Sequence, residues 1–415
     1  MIINFWELPE KRNYIIMKEN FKQDILKILE GKNYSWKIID KIRNGKISIK
    51  KIKIISKKEN IPLEEIEKNI LWIGGNNSLG LSNPKLPINL STKEGSRFIA
   101  AIINDGTLTK NKENGIGYGR LMYDNFDASL RNSVIKDCLE VFGGRKEEIA
   151  FRNTEKKKYL EFSSVIRDMM ELVLKSKGPK CESNLKIPAF ILENEELIKG
   201  WIEQTIADEG EVKSYPTTKY KDKYRRSIVW RRSLDVSSLF NQKIEKDIPL
   251  RRLDKETQDV LQKQECNLIS GEEKMLSLLG ISYRLYNLGV YLTVKNKVRT
   301  RWQISITKRE NLLKLRELIR IPSEIKDKKF TDITKEFVRY KEPLNILRQV
   351  KKLALEKGIF TSIDLKKKMN YKTTNTANKW INLFEKRGFI KKIKKSSYGN
   401  GNYRLPAEYK LIPDK

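Results

Sequence analysis

Over the first 75 residues the apolar positions recur at helical spacing. Ile49, Ile52 and Ile55 fall three apart, and Leu63, Ile66 and Ile70 resume the spacing beyond Asn60-Ile61-Pro62. Upstream, Tyr34 to Arg43 reads as a helix stopped by Asn44-Gly45. The pattern predicts a helical domain over 1–75, and the polar stretch marked by Gly and Pro that follows predicts a linker over 76–94.

Beyond it one pattern occurs twice. Ser96 to Asp105 and Glu195 to Glu209 read as apolar helices that run into an acid and then a glycine, Gly106 and Gly210. The glycine is expected to let the chain leave each helix through a left-handed turn. After the first helix come an extended stretch around Gly117 to Tyr123, a helix over Ser133–Phe142, β-prone residues ending in Tyr159–Phe162, and a helix over Val165–Leu174. After the second come extended Ser227–Leu234, a helix over Glu272–Leu279, strands at Ser282–Tyr286 and Arg301–Ile306, and a helix over Arg309–Ile319. This order predicts an α+β protein with an internal αββαββα duplication, its halves at 95–180 and 181–325, about a pseudo-twofold axis. If the two acid-ended helices pack side by side, Asp105 and Glu209 converge as hard oxygen ligands suited to Mg²⁺ beside a phosphate.

In the last part, Leu344, Leu347, Val350 and Leu353 give a helix ended by Gly358. Thr361-Ser362 caps a second helix, and Trp380, Leu383 and Phe384 mark the inner face of a third. Gly388–Lys395 and Asn402–Leu405 then read as a hairpin. The order resembles a winged helix over 340–415, with Lys379, Lys391, Lys392, Lys394 and Lys395 as its DNA-facing lysines. In the same way, the helix, Asn-Gly turn and helix of the first 75 residues resemble a helix-turn-helix domain of phage-repressor type.

Composition narrows the chemistry. At 415 residues the chain is too long for one core. A net charge of +32, from 85 Lys and Arg against 53 Asp and Glu, implies a polyanionic partner, most commonly nucleic acid. Histidine is absent, which excludes nucleases built on a histidine base, histidine zinc fingers, and Ser-His-Asp or Cys-His hydrolases. The same absence argues against an embedded protein-splicing element. The three cysteines, Cys138, Cys181 and Cys266, form no CxxC and read as reduced thiols. No apolar run approaches the ~18 residues of a membrane span. The start also lacks the form of a signal peptide, so a cytoplasmic location with no membrane partner is expected.

At the two acid–glycine helices the chain resembles the LAGLIDADG homing endonucleases in their two-motif, single-chain form, over about residues 95 to 320. The resemblance implies a saddle of two α/β halves joined through the motif helices, with antiparallel sheets along the DNA major groove. It implies a monomeric, metal-dependent endonuclease that cuts double-stranded DNA at a specific site. Mg²⁺ would be held by Asp105 and Glu209, with Lys158 and Arg301, near the last helix of each half, as catalytic partners. Tyr118 and Arg120 in the first half, and Arg226, Trp230, Arg231 and Arg232 in the second, would read bases. Lys219, Lys221, Lys223, Arg225 and Arg226 would touch phosphates. Some proteins with this core have lost cutting and act as transcription regulators, which is the alternative reading. The second motif departs from the family pattern. Glu203, Gln204 and Thr205 stand where small or apolar residues are expected, and Gly200 lies one helical turn early. Asp208 beside Glu209 leaves open which acid is the second ligand.

Overall fold

The computed structural model describes the chain apart from residues 11, 33, 76–78, 110–118, 156, 176–183, 217–223, 241–246, 295, 342, 372, 399–403 and 413–415. It divides into Met1–Thr331 and Asp332–Lys415. The first 75 residues hold β1 (Ile2–Ile3), β2 (Asn13–Met17), α1 (Glu19–Glu30), α2 (Trp36–Arg43), β3 (Ile47–Ser48), α3 (Ile49–Glu59), α4 (Leu63–Lys68) and β4 (Ile70–Gly75). As the spacing predicts, α2 stops before Gly45, whose φ is +108°, and α3 buries Ile49, Ile52 and Ile55.

The all-helical expectation fails at the strands. β2 and β4 pair antiparallel inside a sheet of order β3-β2-β4-β5, with β5 at Leu81–Ser82. Ile70 opens β4 instead of ending a helical run. Tyr14-Ile15-Ile16-Met17 and Ile70-Leu71-Trp72-Ile73 are too short for periodicity to separate helix from strand, and their mutual pairing decides. Of the expected linker, residues 79–94 are likewise structured. β6 (Ile88–Asn89) pairs with β1, Leu90 N donates to Met1 O at 2.9 Å, and Ile88 and Leu90 are buried. Arg12 and Asn13 reach Asp168 of the first repeat at 2.5 and 2.9 Å, fixing the N-terminal elements to it.

The first repeat runs α5 (Lys93–Asn104), β7 (Gly106–Leu108), β8 (Leu121–Asp124), α6 (Ala128–Phe142), β9 (Ala150–Asn153), β10 (Lys158–Phe162) and α7 (Ser164–Leu174). The second runs α8 (Glu195–Asp208), β11 (Glu211–Pro216), β12 (Tyr224–Asp235), α9 (Lys255–Lys263), α10 (Asn267–Leu278), β13 (Arg284–Leu292), β14 (Val298–Ile306) and α11 (Arg309–Leu318). Apart from α9 the element order is the same, and so is the order in the two antiparallel sheets, β7-β8-β10-β9 and β11-β12-β14-β13. Thr92 Oγ1 and Asn194 Oδ1 cap the two leading helices by accepting from Gly95 N at 3.0 Å and Glu196 N at 2.8 Å. Cys138 in α6 and Cys266 just before α10 are buried free thiols.

α12 (Glu324–Lys341) follows α11, and its first turn is tied to both repeats. Asp327 accepts from Arg316 at 2.5 Å, and Ser323 Oγ donates to Asp127 at 2.8 Å. The second unit holds α13 (Pro343–Lys357), β15 (Phe360–Thr361), α14 (Ser362–Lys368), α15 (Thr374–Lys386), β16 (Ile390–Lys394), β17 (Ser397–Tyr398), β18 (Arg404–Leu405) and β19 (Glu408–Leu411). Its core gathers Val350, Phe360, Leu365, Ile381 and Phe384. The expected hairpin is rearranged: β16 pairs with β19, leaving β17 and β18 as a short separate pair. Among the described residues no helix is long and apolar enough to cross a membrane.

Candidate functional site

The two acid-ended helices, α5 and α8, pack against each other. Ala100 and Ala101 are buried in α5. On α8 the close approach comes from Gly200, where a Cβ would lie 2.7 Å from Lys93 O. The turn-early glycine therefore works as a backbone contact. The polar residues of the second motif are buried and partnered. Glu203 takes Lys93 at 2.7 Å and Arg97 at 3.3 Å, Gln204 Nε2 donates to Asp208 at 3.0 Å, and Thr205 Oγ1 accepts from Arg232 at 3.4 Å. Ser96 Oγ adds a bond to Leu197 O at 2.6 Å, so the helix pair is joined by polar groups as well as small ones.

Gly106 and Gly210 do not take positive φ, which corrects the left-handed exit. A Cβ on Gly106 would lie 2.5 Å from Ile102 O, and one on Gly210 equally near Ile206 O, so the chain turns back over its own helix where only glycine has room. The acid before each glycine is met from the second strand of its half or from the residue just past it. Asn125 Nδ2 donates to Asp105 Oδ2 at 2.8 Å, and Arg232 Nη1 lies 3.7 Å from Glu209 Oε1. Thr107 pairs with Met122 and Glu211 with Val229, and Asn125 and Arg232 each lie three residues further on, at equivalent positions. Arg232 is itself anchored at 2.5 Å by Glu272, which is fully buried and also accepts from Trp230 Nε1 at 2.8 Å.

Asp208 is half-buried between the helices. It accepts from Tyr123 OH at 2.6 Å, Gln204 Nε2 at 3.0 Å and Asn104 Nδ2 at 3.2 Å, Asn104 being its own counterpart in α5. Burial, then the charge of Asp105, pushes the Asp208 carboxyl up to about 7. Lys326 stands at the start of α12. Its Nζ donates to the main-chain oxygens of Ala207 at 2.5 Å, Asp208 at 3.3 Å and Ile206 at 3.4 Å. Burial holds its ammonium below the usual lysine range, against the opposing pull of Asp208, Asp105 and Glu209. No motif marks Lys326, Asn125 or Glu272, and only the three-dimensional pairing brings them to the acids.

The sheet of the second repeat sorts the basic residues by parity, because strand side chains alternate between faces. Arg231 is exposed and donates to Gln303 at 3.0 Å. Trp230 and Arg232 face inward and are buried, so the expectation that they read bases is corrected. Arg226 is half-buried with their parity, and Arg225 is exposed. Arg301 faces outward, stacked 4.1 Å over the Tyr291 ring, and with Arg231, Arg299 and Glu209 it lines a cavity of about 570 Å³ bounded by Asn104 and Thr107. Lys158 is not its counterpart. Leu160 pairs with Tyr123 as Ile304 pairs with Trp230, which puts exposed Lys157 in the place of Arg301 and turns Lys158 to the side of Leu160. Arg120 is exposed, 3.4 Å from Glu161. Tyr118, Lys219, Lys221 and Lys223 lie outside the described residues. In the second unit Lys379, Lys391, Lys392, Lys394 and Lys395 are all exposed.

No protein-family model matches this chain, and no curated protein does. Among solved structures it is similar to the meganuclease I-SmaMI bound to uncleaveable DNA, at 10% identity and a TM-score of 0.33, over 59% of this chain and 90% of that one. It is also similar to the LAGLIDADG meganuclease I-AabMI bound to uncleaved DNA, at 12% identity and a TM-score of 0.31, over 69% of this chain and 100% of that one.

The acids fit a divalent ion only in part. Among the described residues no group of three Cys, Asp or Glu could hold one unaided. Mg²⁺, however, is often held by one or two carboxylates, with substrate phosphate and water completing its shell. Asp105 and Glu209 have the donor chemistry for an ion that binds together with DNA.

Proposed function

We propose that this chain is a metal-dependent endonuclease of double-stranded DNA, of the LAGLIDADG homing-endonuclease kind, with Asp105 and Glu209 as its central acids. The observation that supports this most is their equivalence. Each ends one of two close-packed helices, each precedes a glycine that admits no side chain, and each is met from an equivalent point along the chain, by Asn125 just past β8 or Arg232 in β12. A paired centre of that kind suits a substrate with two backbone strands. Mg²⁺ bound there would offset phosphate charge and stabilise the leaving 3′ oxygen. Asn125 and Arg232 orient the acids, and the outward Arg231, Arg299 and Arg301 suit phosphate oxygens beside Glu209. Lys157 replaces Lys158 as the basic residue proposed for the first repeat. The saddle, the winged helix of the second unit, the α2–α3 pair as a DNA-binding element, a monomeric state and a cytoplasmic location belong to the same proposal.

One observation favours a second reading, a DNA-binding regulator without cutting: the Lys326 ammonium is already bonded to the main chain of Ala207 and Asp208, so a positive charge stands beside the acids without a metal. Incubation of the purified protein with a library of long duplexes in Mg²⁺ or Mn²⁺ separates the two. Breaks on both strands at one site are expected. Tight binding with no nick in either metal overturns the nuclease and leaves the regulator.

A further inference from the structure

A lysine ammonium has three donors, and those of Lys326 meet three consecutive main-chain oxygens at the C-terminal end of α8, those of Ile206, Ala207 and Asp208. That end carries the negative pole of the helix dipole. One of the oxygens Lys326 holds is the main-chain oxygen of Asp208, Glu209 is the next residue, and Asn104, the residue before Asp105, donates to the Asp208 carboxylate at 3.2 Å, so all three acids stand near this ammonium. The turn that presents it is held from both repeats, through Ser323 to Asp127 at 2.8 Å, Glu324 N to Ser129 Oγ at 3.3 Å and Asp327 to Arg316 at 2.5 Å. Asp105 ends α5, and Asp208 and Glu209 end α8 beside it; acids at neighbouring helix C-termini repel one another and the dipoles, and the cost rises with burial. A fixed cation against the last carbonyls of α8 offsets that repulsion.

We propose that Lys326 is a positioning residue, a built-in cation that lets Asp105, Asp208 and Glu209 converge before any divalent ion or DNA arrives. The inference rests on the acidic centre proposed above but does not require that it cut. A lysine that merely capped carbonyl groups would be indifferent to the acids and to metal. The lysine proposed here is coupled to both.

The test is the thermal midpoint of the full chain at about pH 8.5, where Asp208 is ionised, without DNA, for wild type, Lys326→Met, Asp208→Asn and the double variant, each in EDTA and in millimolar Mn²⁺. Lys326→Met should lower the midpoint by several degrees in EDTA, and Mn²⁺ should raise that variant more than wild type because the ion supplies the missing charge. Asp208→Asn should raise the midpoint more in the Lys326→Met background than alone, the non-additivity expected of groups that interact directly. Should Lys326→Met fail to fold in EDTA, folding of the double variant, or of the single variant with Mn²⁺, supports the proposal, and failure of both overturns it. An equal loss with and without Mn²⁺, additive with Asp208→Asn, also overturns it. Absent cutting with intact coupling refutes only the nuclease reading, whereas intact cutting with no coupling refutes only the role of Lys326.

Discussion

Asp105 and Glu209 share a position but not a surrounding: Asp105 meets the neutral amide of Asn125, whereas Glu209 faces a guanidinium already committed to Glu272. If both anchor the reaction, Asp105→Asn and Glu209→Gln should each slow double-strand cutting by roughly a hundredfold or more. DNA affinity should stay within a few-fold, since the acids repel phosphate in the absence of metal. Single-turnover cleavage and gel-shift titration read the two effects separately, and undiminished cutting by Glu209→Gln would move its role to Asp208. Asp208 also makes a pH prediction. Its folded pKa, about 7, lies above the ordinary 3.8, so the fold favours the protonated form. The stability associated with that proton is full below pH 3.8 and is lost as pH rises to about 7. Without divalent metal, the thermal midpoint of Asp208→Asn should gain on wild type across that window and level off above it. A gap that stays constant with pH would show that Asp208 is not held neutral.

At the scale of elements, the α5–α8 pair depends on Gly200, because a methyl there meets the main chain of Lys93 at 2.7 Å and main chain cannot swing aside. Gly200→Ala should cost about 1–3 kcal/mol, as overpacking of a fitted contact does, and should reduce cutting by displacing Glu209. Denaturant melts and cleavage rates check both, and an unchanged melt would mean that the helices can part without penalty. Long periodic segments such as Ser96 to Asp105 and Arg309 to Ile319 were legible as elements, because a helix of ten residues shows its buried face in its own sequence. The N-terminal strands were not, since β2 and β4 are defined by pairing with each other across some fifty intervening residues. The site divides in the same way. Asp105 and Glu209 carry a local signature, an apolar helix followed by glycine. Asn125, Glu272 and Lys326 carry none, because strand register and the path of α12 bring them to the acids. Trp230 and Arg232 show the cost of reading a strand by composition: three consecutive residues cannot share a face, and parity leaves Arg231 outside.

For the whole molecule the net charge of +32 needs a geometry before it predicts anything. The outward arginines of β12 and β14 offer one set of phosphate contacts. The exposed lysines of α15 and β16 offer another, in a unit with its own hydrophobic core. If both sets engage duplex DNA, on the order of ten phosphates are neutralised, and log K should fall with log salt at a slope of roughly −9, about −0.9 per contact. Because 332–415 is a separate unit, deletion of residues 343–415 should leave the rest folded. The truncated chain should then bind more weakly, with a slope smaller by several units, while the arginine face keeps its own share. Fluorescence anisotropy from low to moderate salt gives both slopes. Loss of affinity with an unchanged slope would mean that the second unit contributes contacts other than phosphate. An unchanged slope with unchanged affinity would take it off the DNA and turn its lysines toward another polyanion.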